Sequence, residues 1–409
     1  MAHLFFERFV AQRLLPRKGD GYARPLVRVA TYTIALGVMV MVVAVCILRG
    51  FQTEIRQKVV GFGSHIVVNS YAMGNLYEET PIANDRPEVE RIRQTPGVAR
   101  LGCYAVKGGM VKSENQIQGV LLKGVESDDD GAFFAAHLVE GRLFDHPEEK
   151  PSNEVVVSQR LADRLEVGIG DKLRTYFWQG DVPRARALEV CGIYNTDLAD
   201  FDEHYLLGDL RMVQRLNDWD SNLVGGYEVL VDDFRHLDEV AQRLLPQMGY
   251  DLTLHTVVDQ NPALFAWLDL LDSNIVLLMV LMTLVCTVAI ISALLIMMFE
   301  RSSTIGVLKA LGCTNGSLRR IFLLQCAALI TKGILVGDAV AWLVCWLQAR
   351  FQIVRLDSTN YMMEHVPVAL EAPTFVVISI GSLVVCLLAL LIPTAYISHI
   401  EPAKSIKMN

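Results

Sequence analysis

The stretch FERSSTIGVLKALGCTNGSLRRIF, Phe299 to Phe322, lies between two of the most hydrophobic runs in the chain yet carries Glu300, Arg301, Lys309, Arg319 and Arg320. Ile305, Leu308 and Leu311 recur at helical spacing, Ser302, Ser303 or Thr304 can act as N-cap, and Gly312 is a C-terminal stop. Thr314 or Asn315 then caps a second helix, which brings Arg319 and Arg320 to a membrane face. The pattern predicts a helix of about two turns joined stiffly to both neighbouring spans. A plain connection needs only a few polar residues. Here an apolar ridge sits outside the membrane and must bury against something. Two readings stay open: a helix flat on the lipid headgroups, or one seated in a cytoplasmic partner whose motion it passes into the spans.

Working outward, the 409 residues are 52% hydrophobic and 20% charged, too apolar for a soluble chain of this length. Residues 29–49, 274–299, 317–348 and 373–396 contain runs long enough to cross a roughly 30 Å hydrocarbon layer as helices. Lys and Arg gather in residues 1–28, in the 300–316 loop and in the 397–409 tail, which by the positive-inside rule places both termini and that loop in the cytoplasm. Residues 50–273 and the short 349–372 loop then fall on the outer side. The expected fold is a membrane α-helical protein of four transmembrane helices, with a large α+β extracytoplasmic domain inserted between helices 1 and 2.

The first span is too long and starts too late for a signal peptide, and no small-x-small site follows it, so it reads as a permanent anchor. Residues 1–15 suit an amphipathic helix in the cytoplasmic interface. Five of the eight cysteines fall in the spans, Cys313 faces the cytoplasm, and whether Cys103 and Cys191 join in a disulfide stays open. No CxxC or His-rich spacing points to a metal, and a net charge of −8 argues against nucleic acid. Lys332 and Asp338 interrupt the third span. They stand six residues apart, about 240° around a helix, so they make a poor proton relay, and Lys332 reads better as snorkelling or lining a dimer interface.

Within 50–273, His65 to Val68 and Val98 to Val106 read as strands flanking a helix over Glu88 to Gln94. Tyr227 to Val231, His236 to Leu245 and Leu252 to Thr256 repeat that strand–helix–strand order, so the first and last parts of the domain are expected to meet. Gly108 to Gly124 suggests two short strands, and Gly170-Asp171 opens a hairpin with its tip at Trp178, Gln179, Gly180 and Pro183. That tip is a docking surface, or Trp178 folds back on its own sheet. Ser158, Asp202 and His204 supply triad residue types, but no nucleophile elbow surrounds Ser158, and the chain is read as non-catalytic.

The run from Glu300 to Gly312 resembles the coupling-helix signature of the FtsX/MacB-type ABC transporter permeases, with Thr304 where that family usually has Glu. Pro393 to Ile406 is similar to the family's closing segment. The opening Phe5-Phe6-Glu7-Arg8-Phe9-Val10-Ala11-Gln12-Arg13-Leu14-Leu15 and the later Gly61-Phe62-Gly63-Ser64-His65-Ile66-Val67-Val68 resemble the lipoprotein-releasing branch of the LolC/LolE kind. The absence of a G-x-x-x-x-G-K-[ST] loop sets the chain apart from MacB itself.

The resemblance implies a permease subunit in a bacterial inner membrane that releases lipoproteins to a periplasmic carrier. ATP and Mg would be bound by a separate subunit, and the chain itself would hold no cofactor. A MacB-like efflux permease and an FtsX-like regulator of cell-wall hydrolases are the alternatives. The implied partners are a LolD-like cytoplasmic ATPase, a second permease subunit, acylated lipoproteins, a LolA-like carrier and membrane lipid. The ATPase would be met by Glu300, Arg301, Thr304, Ile305, Leu308, Lys309, Leu311 and Gly312. A lipid cavity would be lined by Met41, Val45, Leu48 and Phe51 with Leu270, Ile275 and Leu278, and the carrier would dock on Trp178, Gln179, Gly180 and Pro183.

Overall fold

The structure, a computed structural model, describes residues 23–71, 80–112, 117–126, 131–147, 151–179, 182–357 and 363–394. The amphipathic segment expected at residues 1–15, the 397–409 tail and Gly180 lie outside these. Two compact units share the chain. One comprises Met1–Gln52, Trp267–Arg355 and His365–Asn409, and the other Thr53–Ala266 with Leu356–Glu364.

In the first unit, four helices among the described residues are long and apolar enough to cross a membrane. They are the first membrane helix Ala23–Gly63, the second Pro262–Glu300, the third Asn315–Phe351 and the fourth, Ala372–Ala389 continued by the turn Leu391–Thr394. The first, second and third helices share most of the core, with Ile34, Val38, Met41, Val42 and Cys46 of the first packed among Cys286, Ile290, Ile330, Cys345 and Ile378. Third and first helices approach closely because Gly333 and Gly337 expose bare backbone. A Cβ at Gly333 would lie 2.8 Å from Ile34, and one at Gly337 would lie 2.5 Å from the Ala35 carbonyl oxygen. This small-xxx-small seam substitutes for hydrophobic driving force in a bilayer. At the far end of the bundle, the Arg49 guanidinium donates to Glu371 (2.8 Å) and Thr374 (2.7 Å) of the fourth helix.

The helices outrun the expected spans. Beyond Arg49 the first helix continues to Gly63, because Ile55, Val59 and Phe62 form a buried stripe within the second unit. Lys58 pairs there with Asp197 at 3.2 Å. The helix ends over the sheet, where the buried Lys123 amine donates to the Phe62 carbonyl and to Glu228, each at 2.7 Å. A cation at a helix C-terminus meets both the open carbonyls and the negative end of the dipole.

The second unit is α+β. Its strands in chain order are β1 (Ile66–Ser70), β2 (Ile82–Ala83), β3 (Val98–Lys112), β4 (Ile117–Val125), β5 (Leu138–Gly141), β6 (Glu154–Ser158), β7 (Lys172–Gln179), β8 (Val182–Tyr194), β9 (Tyr205–Asp209), β10 (Leu223–Val224), β11 (Gly226–Val231) and β12 (Leu252–Thr256). One end is an open sheet in the order β12-β1-β11-β3, flanked by helices Pro87–Arg93 and Leu237–Leu244. The first and last strands of the domain therefore meet, as their repeated order predicts. The pairings β3-β4-β9-β6-β8-β7 and back to β3 close a ring of six strands. Such closure removes free edges.

Strand β3 belongs to both parts, and it is one strand rather than ending before Gly108. Gly109 keeps it continuous, because only a residue without a side chain leaves room for the ring of Phe177 on the paired strand. Cys103, on the open sheet, turns its thiol to Asn84 Oδ1 at 3.4 Å, while Cys191, in the ring, turns its own to the Val155 carbonyl at 3.4 Å, and burial pushes the Cys191 thiol up to about 12.

Candidate functional site

The charged turn begins where the second helix ends at Glu300. Residues Ser302–Ala310 follow as a nine-residue helix whose N-cap position is Arg301, ahead of the positions 302–304 that the sequence offered. The backbone bonds Arg301 N–Met297 O (3.1 Å) and Ile305 N–Arg301 O (2.9 Å) make this helix almost a continuation of the second. Leu311 closes it, Gly312 turns the chain at φ +91°, and the Thr314 hydroxyl caps the third helix by accepting from Ser317 N at 3.2 Å.

The expected ridge is split by this geometry. Ile305 is 1% exposed and belongs with Met297, Met298, Leu318 and Phe322 to the bundle core, with Leu308 packed against it. Both therefore fasten the short helix to its own bundle. Val307, two residues from Ile305 and so on the opposite side of the helix, projects outward with Leu311, which is 80% exposed. Glu300 and Gly312 are exposed, and Arg301, Thr304 and Lys309 half-buried. The available face is thus apolar at Val307 and Leu311. Val307 escaped the sequence reading because the 3–4 spacing of Ile305, Leu308 and Leu311 describes an apolar stripe without saying which part the bundle uses.

The residues expected to line a lipid cavity do not share one surface. Met41 and Leu48 are buried, and Val45 packs against the core. Thr283 of the second helix donates to the Met41 sulfur at 3.6 Å, and Phe51 meets Trp267 edge to face at 5.4 Å. The first and second helices therefore touch at these two points. Leu270 is exposed, and Ile275 and Leu278 are half-buried. Asp338 accepts from the Ser379 hydroxyl at 2.7 Å, whereas Lys332 is exposed, so these two do not pair.

Strands β7 and β8 form the expected hairpin. Trp178 pairs across it with Pro183, and Gln179 with Val182. Trp178 remains 38% exposed, and Val182 and Pro183 are exposed beside it. The arms also display Lys172, Arg174, Arg184 and Arg186. Period-two alternation in Lys172–Trp178 already carried part of that signal. Ser158, Asp202 and His204 form no relay: the Ser158 hydroxyl caps the helix Gln159–Leu165 and donates to the Asp202 backbone carbonyl, while His204 Nδ1 faces the Asp200 carbonyl. The Asp202 carboxylate instead accepts from Thr196, and burial holds its pKa above the usual range.

The MacB-like periplasmic core domain profile matches residues 29–246, more than half of the chain, and the FtsX-like permease C-terminal profile matches 276–402. The chain belongs to the FtsX/MacB-type permease family.

Similar proteins span nearly its whole length. The lipoprotein-releasing system transmembrane protein LolC of Xylella fastidiosa (strain 9a5c) is 21% identical over 411 residues, covering 96% of each chain. The corresponding LolE protein of Haemophilus influenzae (strain ATCC 51907 / DSM 11121 / KW20 / Rd) is 23% identical over 389 residues, covering 91% of each. Among solved structures, the periplasmic region of MacB from Actinobacillus actinomycetemcomitans aligns with 50% of this permease and 95% of its own chain, at 13% identity and a TM-score of 0.34. In this permease the whole Glu300–Gly312 turn lies inside the FtsX-like match.

Proposed function

We propose that this permease is a subunit of an ABC transporter that releases lipoproteins from the bacterial inner membrane to a periplasmic carrier. The observation that carries the reading is end-to-end similarity to proteins named as lipoprotein-releasing, over 96% of both chains in the Xylella case. ATP and Mg belong to a separate cytoplasmic subunit, which meets the exposed Val307–Leu311 face. Both termini lie in the cytoplasm, following the basic residues before the first helix and in the turn. A second permease subunit, identical or paralogous, completes the assembly, and the β7–β8 hairpin with Trp178 and Pro183 is the surface for the carrier.

The task demands work. Each buried CH₂ of an acyl chain holds its owner in the bilayer by about 0.8 kcal/mol, so a multiply acylated protein does not leave unaided. Closure of the ATPase would press on the short helix, which Ile305 and Leu308 fasten to the bundle, and the motion would pass into the spans. Depletion of the permease from its host tests this by the location of acylated lipoproteins. Accumulation in the inner membrane is expected, and rescue by the wild type but not by Leu311→Glu ties it to the turn. Normal sorting on depletion sinks the reading and leaves efflux or cell-wall regulation.

A further inference from the structure

The third membrane helix carries a surface apart from the coupling turn and from the residues expected to line a lipid cavity. Its glycine seam, Gly333 and Gly337, is spent on the first helix. On the other side, Lys332, Leu335, Trp342, Trp346 and Arg350 recur at intervals of three, four or seven residues and are all exposed. They therefore make one stripe. Trp342 (52% exposed) stacks on Trp346 (42% exposed), with centroids 6.2 Å apart and planes 14° apart, and Phe351 closes the row edge-on to Trp346 at 6.3 Å.

Two features say what covers this stripe. Lys332 and Arg350 stand 18 residues apart, which is about 27 Å along a helix and close to the roughly 30 Å thickness of a hydrocarbon layer. The acid between them, Asp338, is engaged by Ser379, so the exposed charges of the stripe are a cation at each end. A protein partner within a membrane favours small residues that let backbones approach, and here the stripe offers bulky aromatics instead. Paired indoles beneath a base fit the boundary of a lipid leaflet, where rings lie at headgroup depth and the cation reaches the phosphate.

We propose that Trp342, Trp346 and Arg350 form a phospholipid seat selective for anionic headgroups, with the phosphate on Arg350 and an acyl chain along the indoles toward Leu335. Lys332 marks the opposite boundary. The third helix then faces lipid in the assembly, and the other permease subunit lies elsewhere.

The test uses the full-length permease in phosphatidylcholine vesicles carrying a minority of lipid brominated on its acyl chains. Bromine quenches only indoles it can reach. Emission should fall more for the wild type than for Trp342→Phe/Trp346→Phe, in which the stripe is blind while the other three tryptophans remain. Brominated phosphatidylglycerol should quench more than brominated phosphatidylcholine, reflecting an enrichment of up to about fivefold for one interfacial cation. Arg350→Gln should equalise the two lipids. Equal quenching of wild type and double variant would show the indoles covered by protein and overturn the seat. Equal quenching by the two lipids in the wild type would overturn its headgroup selectivity.

Discussion

Single side chains in the second unit do what its hydrophobic core cannot. Lys123 is buried with Glu228 and holds the last carbonyls of the first helix, with the rings of Phe62 and Tyr104 within 6 Å of its amine. Removing one member of such a pair leaves the other charge stranded, which costs about 3–5 kcal/mol, while replacing both with apolar groups is often close to neutral. Lys123→Met is therefore expected to destabilise the outer unit by about that amount, and Lys123→Met/Glu228→Met to recover most of it in denaturant unfolding. A double variant as unstable as the single one would show that the amine matters to Phe62 alone.

His65 gives the same unit a pH dependence. Its Nδ1 accepts from Val231 N at 3.0 Å, which requires the neutral ring, and burial lowers its pKa from the ordinary 6.5. The folded protein thus binds this proton less readily than the unfolded chain. Stability from the site is complete above about pH 6.5 and declines as pH falls toward the folded-state value. Between pH 7 and 5 the wild type should lose more stability than His65→Asn, which keeps an acceptor for Val231 N without titrating. Parallel pH profiles would refute the assignment.

At the scale of elements, Gly337 shows what a hydropathy pattern leaves unsaid. The third span was legible from its apolar residues, but its partner was not, since an apolar run looks alike on every face. The Ala35 carbonyl lies where a Cβ of residue 337 would sit, so Gly337→Leu must push the two helices apart. Overpacking of this kind costs about 1–3 kcal/mol. A lower thermal midpoint in detergent is expected for Gly337→Leu, and an unchanged one would mean that the helices do not meet there.

The same limit explains the short helix and the cavity residues. Periodicity placed the Ser302–Ala310 helix, yet only three-dimensional packing turned Ile305 inward and Leu311 outward. It also buried Met41, which sequence alone had set beside Val45 and Leu48. Strand–helix–strand order was legible in the outer domain because β-branched residues, prolines and glycines mark each boundary. The ring of six strands was not, because its closing pairs join residues far apart in sequence, as Met110 joins Tyr176.

For the whole molecule, two membrane helices run from one unit into the other: the second, Pro262–Glu300, crosses close to its start, after Ala266, whereas the first carries a longer segment into the outer unit. The first helix is unbroken from Ala23 to Gly63, and the division between units falls within it, after Gln52. Below that point it is core to the membrane bundle, and above it Lys58 is held by Asp197 and the Phe62 carbonyl by the buried Lys123. A helix transmits displacement because each turn is hydrogen-bonded to the next, whereas a glycine-rich insert replaces those bonds with free rotation. Inserting Gly-Ser-Gly-Ser after Gln52 should therefore leave each unit folded and ATP hydrolysis by the partner intact, while lipoprotein release falls by at least about tenfold, equivalent to about 1.4 kcal/mol of lost coupling. Release at the wild-type rate with the insert in place would show that the work of extraction reaches the outer domain by some other connection.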